Sequence, residues 1–588
     1  MRPNSKLTAD AASNRELLFL EKGVIKKKWK GRVPIALIYP NKYALGMSNL
    51  GYQLVYRLLN QNDSIVAERV FFPKYGHKVL SFESGRPLAD FPLLFFSVSF
   101  EQDYQHLIML LKMSGIPSLA STRTADSGLI RTKAAGGQPL VVAGGVATFM
   151  NPEPLAPFVD LFIIGEAEPI LDRLSEYLIR GIHDKDKEKL LQEIMTTLPG
   201  CYAPGLYTVT YDPEGNFASI RPRDHDKKLP HRINKLTMDS PGSTAAHSTI
   251  LSPQAEFSNL FMTELGRGCS RGCRFCAAGF IYRPPRLWQA ESIINAIDSR
   301  PRGSSRVGLL GMEMIGTEDM AEIADFLSNH SCALSFSSLR ADIINSSLVN
   351  LLGNSNLKSV AIAPDGGSER LRQVINKGIT EDNVLTAADI LARKGIRNLK
   401  LYFMIGLPTE KQADLDEMVA LIMKVKNKIL AVGRSRGRLS NLTLSINCFI
   451  PKPWTPFQFH PMEEVRLLKQ KLKFLRKKMA PEPNIRFKAE NPESAFFQAV
   501  LSRGDRRVGH VLLTMVNNNC SWKQALKKEN VTPGYYALRQ RGETEPFPWE
   551  IIDHGIERKY LWSEYQKALQ GRKTSPCDTS KCKRCGVC

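Results

Sequence analysis

The feature that most restricts this chain is a repeated pairing of short, wholly apolar runs with helical patterns. Residues 33–39 form one such run, followed by turn chemistry at Pro40-Asn41 and a helical stretch over about 50–59. Residues 65–72, 93–100, 140–143 and 161–164 continue the series, with a helix expected around 106–113. Strands that are apolar along their whole length and separated by helices belong to parallel sheets covered on both faces. Ligands of such sheets sit at the carboxyl ends of the strands. Those ends carry Gly46, Ser97, Ser99, Gly144, Gly145 and Gly165, small residues that let a ligand approach the backbone.

The pattern recurs from 258 to about 460. Strands are expected at 261–265, 307–310, 333–337, 359–363, 399–405 and 442–446, with helices such as 319–328 and 369–374 between them. About six strand–helix units suit a full or partial TIM-type barrel, whose chemistry lies at the carboxyl ends of its strands. The stretch 181–257 differs. Residues 184–189 are a charged run, and 207–220 reads as a hairpin around Asp212-Pro213-Glu214-Gly215. The rest is rich in Pro, Ser and Gly, a linker with some β structure. Residues 1–32 form an N-terminal extension, 461–570 a basic and mostly helical region, and 571–588 a cysteine-rich tail. The fold class is α/β, with a Rossmann-like domain at 33–180, a barrel at 258–460 and a helical C-terminal region.

A chain of 588 residues, 43% of them hydrophobic, has room for about three cores. No apolar run reaches the length of a membrane span, and the N-terminus has no signal-type run, so a cytoplasmic protein is expected. Lys and Arg number 80 against 58 Asp and Glu, a net charge of +22. That excess suits anionic partners (nucleic acid, phosphorylated cofactors, an acidic protein), and equally a solvated basic surface. The segment 466–478 sets its Arg and Lys among Leu467, Leu468, Leu472 and Leu475, an amphipathic helix of the packed kind. Ser502-Arg503-Gly504-Asp505-Arg506-Arg507 is a second basic knot. No aromatic-interleaved RNA motif accompanies them, so nucleic acid is a partner without a motif behind it.

The 11 cysteines are not spread as a disulfide framework would be. Three fall in the eight-residue window from Cys269 to Cys276, and four in the last twelve residues. Clustering of this kind points to metal. The central set reads Gly266-Arg267-Gly268-Cys269-Ser270-Arg271-Gly272-Cys273-Arg274-Phe275-Cys276, spaced C-x3-C-x2-C directly after an expected barrel strand. Three thiolates on one loop hold three irons of a cubane and leave the fourth open to a chelating ligand. Structural zinc prefers four ligands, and no fourth lies nearby. The glycines let the loop wrap tightly and aim N–H groups at cluster sulfurs. Cys577, Cys582, Cys585 and Cys588 are spaced C-x4-C-x2-C-x2-C, with Lys581, Lys583 and Arg584 among them. They suit an auxiliary iron–sulfur cluster, a zinc site or a flexible redox-active tail, either docked near the barrel or mobile.

With Phe275 before the third cysteine, the central motif resembles that of the radical S-adenosylmethionine (SAM) superfamily. The resemblance implies a [4Fe–4S] cluster on Cys269, Cys273 and Cys276, with SAM held by its amino and carboxylate groups on the open iron. It implies reductive cleavage of the sulfonium C–S bond to a 5′-deoxyadenosyl radical, and a flavodoxin- or ferredoxin-type electron donor. It also assigns supporting residues. Glu313, in Leu310-Gly311-Met312-Glu313, stands where the family often has a Gly-Gly-Glu that binds the SAM amino group. Ser338 and Arg340 end the third strand, where Arg340 could pair with the SAM carboxylate or form a surface salt bridge. Ser368 belongs to Ala363-Pro364-Asp365-Gly366-Gly367-Ser368-Glu369, similar to the segment that reaches the ribose, although Asp365 and Gly366 replace the common Glu and Thr. Ile405 and Gly406, within Leu401-Tyr402-Phe403-Met404-Ile405-Gly406-Leu407-Pro408-Thr409-Glu410, match the motif whose backbone cradles adenine.

The segments from Pro139 to Gly145 and from Val159 to Glu168 look like the cobalamin-binding domain that precedes many such barrels, which adds Glu166 to the cofactor contacts. The Asp-x-His-x-x-Gly of histidine-ligated members is missing. Residues 40–51 contain no histidine, and Asp103-Tyr104-Gln105-His106 has another spacing. Cobalamin therefore binds without a histidine ligand or is no longer bound. The resemblance extends from Tyr43-Ala44-Leu45-Gly46-Met47-Ser48-Asn49 to the final Cys585-Gly586-Val587-Cys588, and is to one group of cobalamin-domain members of uncharacterised substrate. If cobalamin binds, it implies radical methylation of an unactivated carbon through methylcobalamin, while cobalamin-containing members also carry out rearrangement or ring chemistry. A cobalamin-independent oxidoreductase and an RNA-modifying enzyme are the alternatives. A methylthiotransferase would need a second cysteine triad, and residues 1–257 contain only Cys201.

Overall fold

Val33–Tyr39 (β1), Ile65–Phe71 (β2), Leu93–Ser97 (β3), Leu140–Gly144 (β4) and Leu161–Ile163 (β5) form one parallel sheet in the order β2-β1-β3-β4-β5. The computed structural model describes residues 14–123, 130, 132, 137–184, 186–223, 228–238, 244–336, 339–344, 359–437 and 440–587. Every residue of β2 and β5 is buried, as are all but the outermost residues of the other three strands. That is the burial expected of a sheet with helices on both faces. The strand order reverses between β1 and β3, which opens a crevice at their carboxyl ends.

The first unit runs past residue 180. The helices Leu171–Asp184 and Lys187–Thr197 follow β5, and Cys201–Tyr202 (β6) then pairs antiparallel with it. The charged run read as a linker is the junction of these two helices. The Asp186 carboxylate accepts the Glu188 and Lys189 N–H groups there, which explains the polar composition. The expected hairpin is present as Tyr207–Tyr211 and Phe217–Pro222. The rest of the linker is stitched on both sides. Leu236 N–H donates to Ile164 O and Leu236 O accepts from Glu166 N–H, while Ser248 N–H donates to Met262 O.

Among the described residues the second unit has seven parallel strands, where six were expected. Phe261–Glu264 (β7), Arg306–Leu310 (β8) and Ala333–Phe336 (β9) form one sheet. Ser359–Asp365 (β10), Asn398–Ile405 (β11), Asn441–Cys448 (β12) and Ile485–Ala489 (β13) form another. A bridge between Leu339 and Ile362 joins them. Among the described residues β7 and β13 do not pair, so the barrel is partial. β13 lies in the stretch read as helical, so the boundary at 460 is too early. Only five residues long and exposed on one face, it left little apolar signal. The basic helix Val465–Met479 buries Leu468, Leu472, Leu475 and Met479 and keeps most of its cations outward, as its periodicity predicts, while Lys471 turns in to pair with Glu410 and Glu463. The second basic knot is internal instead: Arg503 is buried, Arg506 pairs with Glu153, and Arg507 pairs with Asp505. No helix among the described residues is long and apolar enough to cross a membrane.

Gly165 sits at φ +110, with an added Cβ only 2.3 Å from Leu236 O. Replacing it with Ala should cost about 2 kcal/mol or more, read as a lower midpoint of thermal or denaturant unfolding.

Candidate functional site

After β7 the chain leaves the barrel at Gly266–Arg267, which pairs antiparallel with Arg286–Leu287, so residues 268–285 form a closed loop. Its neck admits only glycine. A Cβ at Gly266 would lie 2.5 Å from Arg286 O, and one at Gly268 (φ +88) 2.6 Å from Tyr282 O. Cys269, Cys273 and Cys276 stand on this loop. Cys276 N–H donates to Cys273 O at 3.1 Å, and Arg274 N–H to Ile375 O at 3.0 Å. Burial pushes the Cys276 thiol up to about 12 and raises Cys269 too, so metal charge is needed to keep these sulfurs ionised. Among the described residues no three His, Cys, Asp or Glu side chains converge as a single ion would require. A cubane places its three thiolates on separate irons, and three cysteines on one glycine-necked loop fit it.

Two of the residues expected to serve SAM, Glu313 and Arg340, lie beside this loop, and Asp365 lies near it. Glu313 follows β8 and receives the Ser270 N–H at 2.7 Å and the Ser270 hydroxyl at 2.5 Å, so it holds the loop between the first two cysteines. Arg340 pairs through two nitrogens with Asp342 at 3.0 and 3.1 Å and donates to Lys377 O at 2.7 Å. Burial opposes its charge, but Asp342 and the neighbouring Cys273 and Cys269 sulfurs outweigh that and hold its pKa above the ordinary value. Asp365 lies at φ 61 and is buried against Lys377 Nζ at 2.5 Å, near the Phe275 ring. Burial raises the Asp365 pKa although Lys377 works against the rise.

Three others are used differently from the expectation. Ser368 is 1% exposed and caps the helix Glu369–Val374. Its oxygen accepts Leu371 N–H at 3.0 Å and its proton goes to Asp414 at 2.5 Å, so it is not offered to a ribose. Gly406 N–H donates to Glu410 at 3.0 Å and Ile405 O accepts Phe449 N–H at 2.9 Å, which engages the Gly406 N–H and leaves the Ile405 carbonyl a second lone pair. Ser338 lies outside the described residues.

A cavity of about 570 Å³ opens where the first sheet meets the barrel. Ser97, Ser99, Gly144, Gly145 and Glu166 line it, as expected; Glu264, Gly266, Arg267 and Gly311 close it from the barrel side. Gly46 does not belong to it. An added Cβ there would meet the Phe71 ring at 2.4 Å, so Gly46 is small to admit core aromatics, and Asn49, Leu50 and Gly51 reach the cavity instead. Gly145 is small because Val98 O lies 2.5 Å from where its Cβ would be. Gly144 alone of the two has ordinary space around a Cβ, its nearest neighbour 3.6 Å away. Glu166 is neutralised by Arg286 at 2.5 Å and Arg267 at 3.3 Å. Burial works to raise its pKa, yet these partners bring it below the usual carboxylate range.

The tail is docked against the cysteine loop, by residues the motif reading missed. Asn376 donates to Arg271 O and Gly272 O, both at 3.3 Å, and to Thr574 O at 3.1 Å, while its oxygen accepts Thr574 N–H at 2.9 Å. Arg274 donates to Arg572 O at 2.8 Å and pairs with buried Glu564 at 3.1 Å. The sequence hints at Asn376 only as a turn residue before Gly378; nothing in it links residues 198 apart. Cys588 lies outside the described residues.

Two family models match the chain: radical SAM proteins, N-terminal, at residues 51–204, and the radical SAM superfamily at 263–422. With the cysteine loop at the carboxyl end of the first barrel strand, this chain belongs to the radical SAM superfamily. It is therefore an enzyme that works with a [4Fe–4S] cluster, SAM and a source of electrons. The uncharacterized protein MJ0966 of Methanocaldococcus jannaschii is 29% identical over 507 residues, 85% of this chain and 95% of that one. Among solved structures, the cobalamin-dependent SAM radical enzyme OxsB with aqua-cobalamin bound is similar at 15% identity and a TM-score of 0.44, over 66% of this chain and 52% of that one. SuiB of Streptococcus suis bound to SAM is similar at 14% identity and 0.28, over 39% and 50%. The chain spans about half the length of these two enzymes.

Glu313→Gln should keep the iron of the loop but weaken SAM binding about tenfold or more, the loss of one charge-assisted hydrogen bond. Iron quantitation with SAM titration checks both halves.

Proposed function

We propose that this enzyme holds a corrinoid in the 570 Å³ cavity and methylates an unactivated carbon of its substrate. The observation that carries the reading is that one cavity is walled both by the switch point of the first sheet and by the strand ends beside the cysteine loop. The cofactors, when bound, supply one-electron cleavage of SAM and a transferable methyl group. The chain's part is to hold and shield them.

The fit is one of shape and surface. Leu37, Leu54, Phe95, Phe96 and Phe149 make much of the wall apolar, while Ser97 adds a hydroxyl and Asn49 and Ser99 add polar groups that bond each other at 3.0 Å. Gly144 leaves the floor flat. Among the described residues no histidine lines the cavity; His106 Nδ1 lies against Pro40 O at 2.9 Å. Tyr282 reaches the cavity with a hydroxyl that burial keeps protonated, its pKa raised. Glu313 keeps the cysteine loop in place through Ser270 and would present its carboxylate to the SAM ammonium. Arg340, fixed by Asp342, lies near the cysteine sulfurs and would place positive charge by the SAM carboxylate. A second cavity of about 350 Å³ lies at the carboxyl ends of β11 and β12, with Phe275 of the loop, Asn447, Lys452 and Glu490 in its wall. It suits the substrate, which would reach the loop from the barrel side.

The test is anaerobic reconstitution with iron and sulfide, followed by iron and cobalamin quantitation and assay of 5′-deoxyadenosine from SAM under reductant. Wild type should hold a cluster and cobalamin and form deoxyadenosine; the Cys269/Cys273/Cys276→Ala variant should form none. Wild type that forms deoxyadenosine without retaining cobalamin would sink the methyl-transfer reading. In Gly144→Val the added methyls occupy the cavity floor. Cobalamin affinity should fall about tenfold or more, with deoxyadenosine formation unchanged.

A further inference from the structure

The tail supplies a second set of thiols that the radical site does not use. Cys577, Cys582 and Cys585 line one small recess together with Ser270 and Gly272 of the cysteine loop and with Arg283, Tyr560 and Arg584. Cys577 N–H donates to Ser270 O at 2.7 Å, the residue next to Cys269. Lys581 and Cys582 N–H groups both donate to Asp578 O, at 3.1 and 2.7 Å, and this turn brings the Cys582 thiol within hydrogen-bonding reach of Cys577. Cys585 is 1% exposed, and its carbonyl accepts Glu557 N–H at 2.9 Å.

Two guanidinium groups face these sulfurs. Arg584 Nε donates to Cys582 Sγ at 3.2 Å. Arg283 is 3% exposed and hydrogen-bonds Cys585; it also spans the loop, donating to Gly279 O at 3.1 Å and Tyr560 at 3.2 Å. None of the ten described cysteines is in a disulfide. Three thiols and two cations about one recess form a donor set for an anionic metal centre. The thiols do not converge as one zinc ion would need, and in this they match the triad of the radical loop. Thiolates spread over separate irons are what a cluster takes.

We propose that Cys577, Cys582 and Cys585 ligate a second iron–sulfur cluster, seated directly against the loop of Cys269, Cys273 and Cys276. Ferrous and ferric iron and sulfide come from outside, so no electron has to be removed during assembly, and each iron–thiolate bond forms as a thiol proton leaves to solvent. The recess, about 10 Å³ as it stands, is smaller than a cluster. Of its lining residues Ser575 and Arg584 are exposed, so the recess borders solvent on that side, while Asn376 and Arg283 keep the other side on the loop. Arg283 and Arg584 offset the negative charge of the ligated cluster, and hydrogen bonds to its sulfurs set its potential.

The inference is independent of the corrinoid reading, and iron counting separates the two. The full-length chain is reconstituted anaerobically, and iron, acid-labile sulfide and zinc per chain are measured with the EPR spectrum of the reduced protein. Cys269/Cys273/Cys276→Ala, which leaves the tail intact, should retain about half of the wild-type iron and a reduced-cluster signal. Cys577/Cys582/Cys585→Ala should also retain about half, with a different signal. An iron-free triad variant, or a tail variant with wild-type iron, overturns the proposal. So does stoichiometric zinc in wild type that disappears from the tail variant while iron is unchanged. If the tail variant does not fold, the residual iron of the triad variant decides alone. Absence of deoxyadenosine from wild type would bear on the SAM and corrinoid reading and leave these counts intact.

Discussion

Five charged side chains meet where the first sheet abuts the barrel, and the placement of everything else follows from their pairing. Arg267 reaches Glu168 at 2.5 Å, Glu264 at 3.0 Å and Glu166 at 3.3 Å, and Arg286 takes Glu166 at 2.5 Å. Burial alone would raise the carboxylates, and it does raise Glu264, while Arg286 and Arg267 hold Glu166 down. Buried charges of this kind are tolerable only when fully paired, and removing one partner costs about 3–5 kcal/mol. Glu166 and Glu168 come from the end of β5, Glu264 from β7, and Arg267 and Arg286 from the neck of the cysteine loop. The network thus ties the two sheets and the loop at a single relative setting. The cavity between the sheets and the start of the metal loop share a wall because of it.

The two sheets belong to one class yet bury their side chains differently. In the first, strands are buried along their length, so the interior is filled and only the carboxyl ends can bind anything. In the barrel, β11 alternates strictly, with Leu399, Leu401, Phe403 and Ile405 buried against helices and Asn398, Lys400, Tyr402 and Met404 half-exposed on the other face. The barrel's inner face is therefore left partly open, and the cavity beside Phe275 and Met404 uses that space.

Much of this was legible because it rests on local patterning. Largely apolar runs located β1 to β5, with β3 ending three residues before the expected 100, and C-x3-C-x2-C after an apolar strand located the loop. What escaped depends on partners distant in sequence. Gly46 looked like a ligand-facing glycine, but its neighbours are the rings of Phe71 and Tyr39. Ser368 matched a ribose motif, yet it begins a helix and its hydroxyl serves the helix end. Gly145 and Gly165 were placed correctly at strand ends, though for the wrong reason: neighbouring backbone, at Val98 and Leu236, takes the space. Strand β13 is too short and too polar on one face to announce itself, and the tail's docking has no local signal at all.

The clamp of Asn376 and Arg274 on residues 572–574 has a consequence in time. The cysteine loop and the segment that covers it lie some 300 residues apart. At a synthesis rate of roughly 5–20 residues per second, that separation amounts to an interval of about 15 to 60 seconds. During that interval the loop has been synthesised and residues 572–574 have not. A nascent chain therefore passes through a stage in which Asn376 and Arg274 lack their tail partners. The order of translation thus separates a loop held only by the barrel from one held also by the tail.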